Sequence, residues 1–150
     1  MKKTFKGRPV VPGEVSAPAL VTHQGFNTLA NLKTAGSFMN PKGILKDINN
    51  PEIYGKLMPG KTLCLPETIG STTGGMVLYC ASCMNVGPAC MLFPKKADTL
   101  AVAGAVLTAN WSDHPIVLVD DLGDEFLDTV KEGMKVSVTS DGTVTVEDGE

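Results

Sequence analysis

Aromatic side chains make up only 5% of this chain of 150 residues. Few flat faces are left on which bases could stack, the means by which single strands of nucleic acid are held. Basic charge is not in excess either. Lys and Arg number 13 against 16 Asp and Glu, a formal net charge of −3, which excludes the positive footprint of a nucleic-acid binder. No uninterrupted apolar run reaches the roughly 20 residues of a membrane helix. The first residues carry Lys2, Lys3, Lys6 and Arg8, the charge of a secretory leader's opening. The apolar stretch that should follow is interrupted by Pro9, Pro12, Gly13 and Glu14. The chain is therefore expected in the cytoplasm, with neither nucleic acid nor membrane as a partner. Its four cysteines, Cys64, Cys80, Cys83 and Cys90, are expected as reduced thiols. Internal repeats and low-complexity segments are absent.

What is present suits a globular protein: 43% hydrophobic and 19% charged residues. The length fits one domain, residues 1–150, large enough for a core without staples. The chain turns on residues 61–85. An apolar run from Lys61 to Pro66 reads as a buried strand. A polar turn follows, Glu67, Thr68, Ile69, Gly70, Ser71, Thr72, Thr73, Gly74, Gly75. Then Met76 to Asn85 is apolar and long enough for a helix. Strand, Gly/Ser/Thr turn and helix together point backbone N–H groups and small hydroxyls at a ligand. The helix start favours an anion. Ser71 sits at the tip, and amides around its hydroxyl would stabilise an alkoxide, one route by which a serine becomes a base or a nucleophile. The same letters also spell an ordinary capped turn. They spell neither G-x-S-x-G nor a P-loop, because no lysine follows the glycines.

In chain order, Val10–Val11 and Ala19–Thr22 read as two short strands around Pro12-Gly13. A short helix within 25–36 is expected, capped by Asn27 or Thr28 and stopped by Gly36. Residues 37–60 read as a long irregular connection with one short strand near Ile44-Leu45. After the central unit come a strand over 89–93 and a helix from Asp98 to Thr108 whose Ala and Gly positions allow close approach to a neighbour. A loop over 110–115 follows, then a wholly apolar strand over 116–119. Glu125 to Val130 makes a short helix. Asp141-Gly142 between two alternating runs predicts a C-terminal β-hairpin. The expected class is α/β, with parallel pairing in the middle and β structure at both ends.

Other chemistry-bearing residues read as structural. Cys80-x-x-Cys83 and Cys90 have thiolate ligands to offer. Yet Cys80 and Cys83 fall inside a helix and Cys90 begins a strand, so packing in a core or interface is the better reading. The only histidines are His23 and His114. His114, adjacent to Asp113, sits in a loop without the geometry of a triad. Asp120, Asp121, Asp124 and Glu125 lack the alternating spacing of a calcium loop and read as a charged helix start.

The stretch from Pro66 to Val77 resembles the small-subunit, or swivel, domain of the aconitase X family. There a strand ends in Pro, and a turn Gly-Ser-x-Ser/Thr-Gly leads into an apolar helix. Gly70, Ser71, Thr73 and Gly74 match that run in place, and most of the chain follows the family's order and spacing. The resemblance implies a swivelling β/β/α domain working with a large catalytic subunit, and a separate small chain in this case. It implies hydro-lyase chemistry. Iron, usually in an iron–sulfur cluster, would be held by cysteines of the large subunit, with no metal ligand in this chain. Ser71 would be the general base that removes the proton alpha to a carboxylate, with Gly70, Thr72, Thr73 and Gly74 around the substrate. The family's known substrates are cis-3-hydroxy-L-proline and phosphomevalonate. Two departures bear on the choice. Ile69 stands where many members carry an arginine, and Phe38-Met39-Asn40-Pro41 replaces a Gly-Gly-x-Asp-Pro run. Without that arginine a small zwitterion is easier to support than a phosphate, so the expectation is dehydration of cis-3-hydroxy-L-proline. The alternatives are a phosphomevalonate dehydratase small subunit and a non-catalytic anion-binding or interaction domain. The enzyme reading expects an apolar, partner-sized patch around the Ser71 turn and the 37–60 connection, and the binding reading a closed pocket in this chain.

Overall fold

A computed structural model describes residues 1–149. Strands β1 (Lys2–Lys6) and β2 (Arg8–Val11) open the chain and are joined only by Gly7. Then come β3 (Val15–Val21), β4 (Phe26–Asn27), α1 (Thr28–Leu32), β5 (Thr62–Cys64), β6 (Thr68–Ile69) and α2 (Gly74–Cys83). The chain continues with β7 (Cys90–Leu92), α3 (Thr99–Trp111), β8 (Val117–Asp120), α4 (Glu125–Thr129), β9 (Lys135–Val138) and β10 (Thr143–Glu147).

Eight strands form one sheet in the order β1-β10-β9-β3-β5-β7-β8-β2. The inner four, β3, β5, β7 and β8, run parallel. The outer pairs are antiparallel. The two edge strands are consecutive in sequence, so the sheet closes on itself through Gly7. A Cβ at Gly7 would stand 2.5 Å from the Asp120 carbonyl oxygen, so only glycine lets the strand switch partners there. Arg8 then fastens the closure, its Nε and guanidinium nitrogen donating to both carboxylate oxygens of buried Asp120 at 2.9 and 2.7 Å.

The alternation of side chains in the parallel strands sorts two cores. Leu20, Leu63, Met91 and Leu118 face α2, α3 and the 37–60 connection. Val21, Cys64, Leu92 and Val119 face the inside of the closed sheet, with Phe5 and Phe126 edge to face at 5.4 Å. Helices α2 and α3 follow successive parallel strands and touch at glycines. A Cβ at Gly75 would lie 3.0 Å from the Leu100 carbonyl oxygen, and one at Gly104 3.0 Å from the Gly75 carbonyl oxygen.

The parallel middle, the helices and the C-terminal hairpin lie where the sequence places them. Asp141 turns that hairpin by accepting from Thr139 Oγ1 and the Thr143 amide. The short strand expected near Ile44-Leu45 is only an isolated bridge between Ile44 and Leu57, and three further expectations change. The strands around Pro12-Gly13 do not pair with each other, because β2 fills the free edge of β8 while β3 joins β9 and β5. Asn110 and Trp111 extend α3, not a loop. Thr68-Ile69, read as turn, pairs in parallel with Phe26-Asn27. Among the described residues no helix is long and apolar enough to cross a membrane.

Candidate active site

Ser71 lies at the C-terminal end of the parallel strands, between β6 and α2. Three neighbours fix its approach. Asp98 caps α3 by accepting the Ala101 amide at 3.1 Å. The same carboxylate accepts the Thr68 amide at 2.8 Å and the Thr68 hydroxyl at 2.5 Å. One side chain thus anchors both the start of a helix and the strand leading into the turn. Asn27 caps α1 through its Oδ1, 3.0 Å from the Ala30 amide. Gly70 rests on Asn27: its φ is +99° and a Cβ there would meet Asn27 Oδ1 at 2.6 Å. Gly74 lies against Thr28, where a Cβ would sit in ordinary contact 3.5 Å from Thr28 Cβ. Two helix starts are therefore pressed together beneath the turn.

Within the turn, Ser71 Oγ accepts the Thr73 amide at 3.2 Å and lies 2.9 Å from Thr73 Oγ1. The Ser71 carbonyl accepts the Gly74 amide at 3.0 Å. Ser71 Oγ therefore faces one N–H donor and one hydroxyl able to donate or accept, at the positive end of a ten-residue helix. An alkoxide at that oxygen gains two charge-assisted hydrogen bonds without rearrangement. The plain capping reading is met only in part. Thr73, at the cap position, makes no side-chain capping bond, and Ser71 takes that amide from two residues upstream. Gly70, Thr72 and Thr73 are exposed, Ser71 is half-buried and Gly74 is buried. The five sequence-derived site residues are contiguous, and four of them are open to a ligand.

A cavity of about 590 Å³ lies elsewhere, at the opposite end of the parallel strands, lined by Glu14, Ser82, Asn85, His114 and neighbours. Ser71 is open on its outer side, flanked by Ile69 and Met76, which are 44% and 55% exposed. The 37–60 connection adds Phe38 at 100% and Met39 at 82%. Exposed apolar side chains thus occur both beside the Ser71 turn and in the 37–60 connection, the two places where a partner-completed site would carry them.

The remaining candidates separate. Cys64 and Cys90 are fully buried, and burial pushes both thiols well up from their ordinary range. Cys80 and Cys83 are exposed on α2, so of the three cysteines read as core or interface residues Cys90 lies in the core and Cys80 and Cys83 lie on the surface. Among the described residues no group of three or more His, Cys, Asp or Glu side chains could hold a metal ion. His114 lies in the 112–116 loop, far along the chain from Ser71, and its carbonyl accepts from Ser82 Oγ at 2.5 Å.

Sequence reasoning missed a clamp at His23. Its Nδ1 lies 2.7 Å from Glu52 Oε2 and its Nε2 3.1 Å from the Leu127 carbonyl oxygen. Both ring nitrogens face acceptors, so the imidazolium satisfies both. The Glu52 hydrogen bond holds the His23 pKa above its ordinary value. Burial pushes the Glu52 carboxyl up, but donation from His23 and from Thr22 outweighs it and the net shift is downward. Glu52 belongs to the 37–60 connection, and this ion pair ties that segment to the closed sheet. Only its acid-and-histidine composition was visible in the sequence, across 29 residues.

Comparison with known proteins adds four findings. A model of the aconitase X swivel domain matches residues 4–146. The phosphomevalonate dehydratase small subunit of Aeropyrum pernix is 30% identical over 142 residues, covering 95% of this chain and 92% of that one. Its counterpart in Methanothrix thermoacetophila is 34% identical over 143 residues, covering 95% and 93%. The crystal structure of Thermococcus kodakaraensis aconitase X (holo-form) superimposes with a TM-score of 0.78 at 29% identity, covering 96% of this chain and 98% of that one.

Proposed function

The chain belongs to the aconitase X swivel domain family, and from that premise we propose that it is the small subunit of a two-chain hydro-lyase acting on a hydroxylated carboxylic acid, with phosphomevalonate the better-supported substrate. The observation that carries the catalytic part is Ser71 Oγ held against the Thr73 amide and beside the Thr73 hydroxyl, at the start of α2. Support for the substrate comes from relatives named phosphomevalonate dehydratase small subunit, which match over more than nine-tenths of both chains.

Dehydration removes a proton from one carbon and hydroxide from the next. Ser71 is the base for the first half. A serine alkoxide is costly in water, and the Thr73 donors and the helix start lower that cost once a partner closes the turn from solvent. Exposed Gly70 lets the substrate carboxylate approach the backbone, Thr72 adds a hydroxyl at the exposed rim, and buried Gly74 seats the start of α2 against Thr28. The departing hydroxide needs an acid that the turn does not contain. The family is iron-dependent, and iron supplies a Lewis acid when bound. In this reading the iron belongs to the large subunit, which agrees with the lack of a group of three His, Cys, Asp or Glu side chains among the described residues, and no step of this chain is routed through it.

A second reading, cis-3-hydroxy-L-proline, is favoured by one feature. Residues 68–94 contain no charged side chain, and Ile69 occupies the position before Gly70-Ser71. This chain therefore offers the turn no nearby cation in sequence for a phosphate. The test is co-expression with the large chain, anaerobic purification, and dehydration assays on both acids with Ser71→Ala alongside. Dehydration of phosphomevalonate that falls about 10²–10⁴-fold in the variant, with KM little moved, is the expected result. Activity on hydroxyproline alone would move the substrate to the second reading. A Ser71→Ala enzyme as active as the parent would remove the serine from the base role.

A further inference from the structure

Helices α2 and α3 together span 23 residues, 10 and 13, without one charged side chain. A helix layer that faces water normally carries charge on its outer side. Here the exposed positions of α2 are Met76, Cys80 and Cys83, with Met84 at 48% exposure just beyond. Exposed Val106 continues the same character onto α3. Gly36 packs beneath Met84, where a Cβ would lie 2.8 Å from the Met84 sulfur. That contact brings the turn bearing exposed Phe38 and Met39 against the far end of α2. The apolar surface therefore runs from the Ser71 turn, beside Met76, along α2 to Phe38. Enrichment in Met and aromatics with depletion of Lys, Glu and Asp is the composition of a protein interface core. Thioethers and thiols also adapt their shape to a partner.

We propose that this outer face of α2, with Phe38 and Met39 at its far end, is the surface on which the large subunit docks. The inference rests on the two-chain reading above. Continuity with the open catalytic turn identifies the occupant. A body lying on this face reaches Ser71 at its Met76 end and covers the side from which water now enters. A second copy of this chain would bring only another serine turn and no acid to release hydroxide. A different chain is needed, and this face leads it to the hydroxyl.

The cysteines report on the face directly. N-ethylmaleimide labelling of the isolated chain should modify Cys80 and Cys83, while Cys64 and Cys90 stay silent because they are buried. In the complex with the large chain, labelling of Cys80 and Cys83 should slow by at least about tenfold. A reference thiol, Ser140→Cys at the exposed hairpin tip, should react equally in both. Met76→Asp, a change at an exposed position, should weaken pairing by about tenfold or more with the isolated chain's unfolding midpoint unchanged. Unprotected Cys80 and Cys83 in an active complex, or Met76→Asp pairing like the parent, would overturn the proposal. So would protection in the isolated chain through self-association. A complex that protects both thiols but dehydrates neither acid would leave the docking face standing and bring down the dehydratase reading instead.

Discussion

At the scale of single residues, the candidate site is a matter of where one hydroxyl is held. Gly70 carries two constraints at once, a left-handed backbone and a side-chain position already filled by Asn27. Gly70→Ala must therefore either strain the turn or push Asn27 from the start of α1. The expected loss is about 1–3 kcal/mol, read as a lowered unfolding midpoint, with dehydration falling further than stability because Ser71 is the next residue. An alanine enzyme with parental kinetics would mean the turn tolerates displacement and is no preorganised base. His23 makes a prediction in pH. Its pKa is raised from 6.5 by Glu52, so its contribution is full below 6.5 and is lost as pH rises through the folded value. The Glu52 pKa is lowered from 4.5, so its contribution is present above 4.5 and is lost as pH falls through the folded value. The clamp is thus strongest between those two ordinary values. The stability gap between parent and His23→Gln should be widest near pH 5–6 and should close on the alkaline side, as followed by thermal unfolding across pH. Because His23 is half exposed, solvent screening keeps the gap small.

At the scale of elements, the site depends on how closely two helices lie. The Gly75–Gly104 contact lets α2 approach α3 to backbone distance, and α2 begins at the Ser71 turn. Gly104→Val would place a branched side chain against the Gly75 carbonyl oxygen and Leu78. Overpacking of this kind costs about 1–3 kcal/mol, and the helix start must tilt to relieve it. Chemical denaturation should show the loss, and kcat should fall while Ser71 itself is untouched. A variant that is destabilised but keeps full kcat would uncouple the helix contact from the site. The elements also show what a sequence can and cannot display. The α3 cap at Asp98, the α1 cap at Asn27 and the Asp141-Gly142 hairpin are local patterns, and each lies where its residues place it. Asp98 gripping Thr68, thirty residues upstream, has no local pattern, since both residues already had a sufficient local role. For the same reason β6 was hidden inside the turn, and the partner switch at Gly7 was hidden inside a basic N-terminus.

At the scale of the whole molecule, the closed sheet and helix layer present the serine turn outward, uncovered, with an uncharged surface beside it. Fold class, the parallel centre and the exposed Ser71 turn were legible because they are encoded over short spans. The choice of substrate was not, because this chain sets no charged side chain in residues 68–94, the turn's own stretch of sequence, to display it. The net charge of −3 and the uncharged stretch 68–94 mean that a phosphate-bearing acid would draw its binding charge largely from the other chain. Ile69 is the position where this chain could add one, since its side chain is 44% exposed beside the turn. Ile69→Arg in the assembled enzyme should therefore lower KM for phosphomevalonate by up to about tenfold, the worth of one charge-assisted hydrogen bond at a half-open site. With kcat nearly unchanged, the added contact is one made equally in ground and transition states. KM for cis-3-hydroxy-L-proline, which has no phosphate to meet the guanidinium, should not fall. Steady-state kinetics on both acids, at low and raised salt, decide the matter. A KM gain for phosphomevalonate that fades with salt places the phosphate near residue 69. No change for either acid would place the substrate's charged end on the far side of Ser71, within the partner.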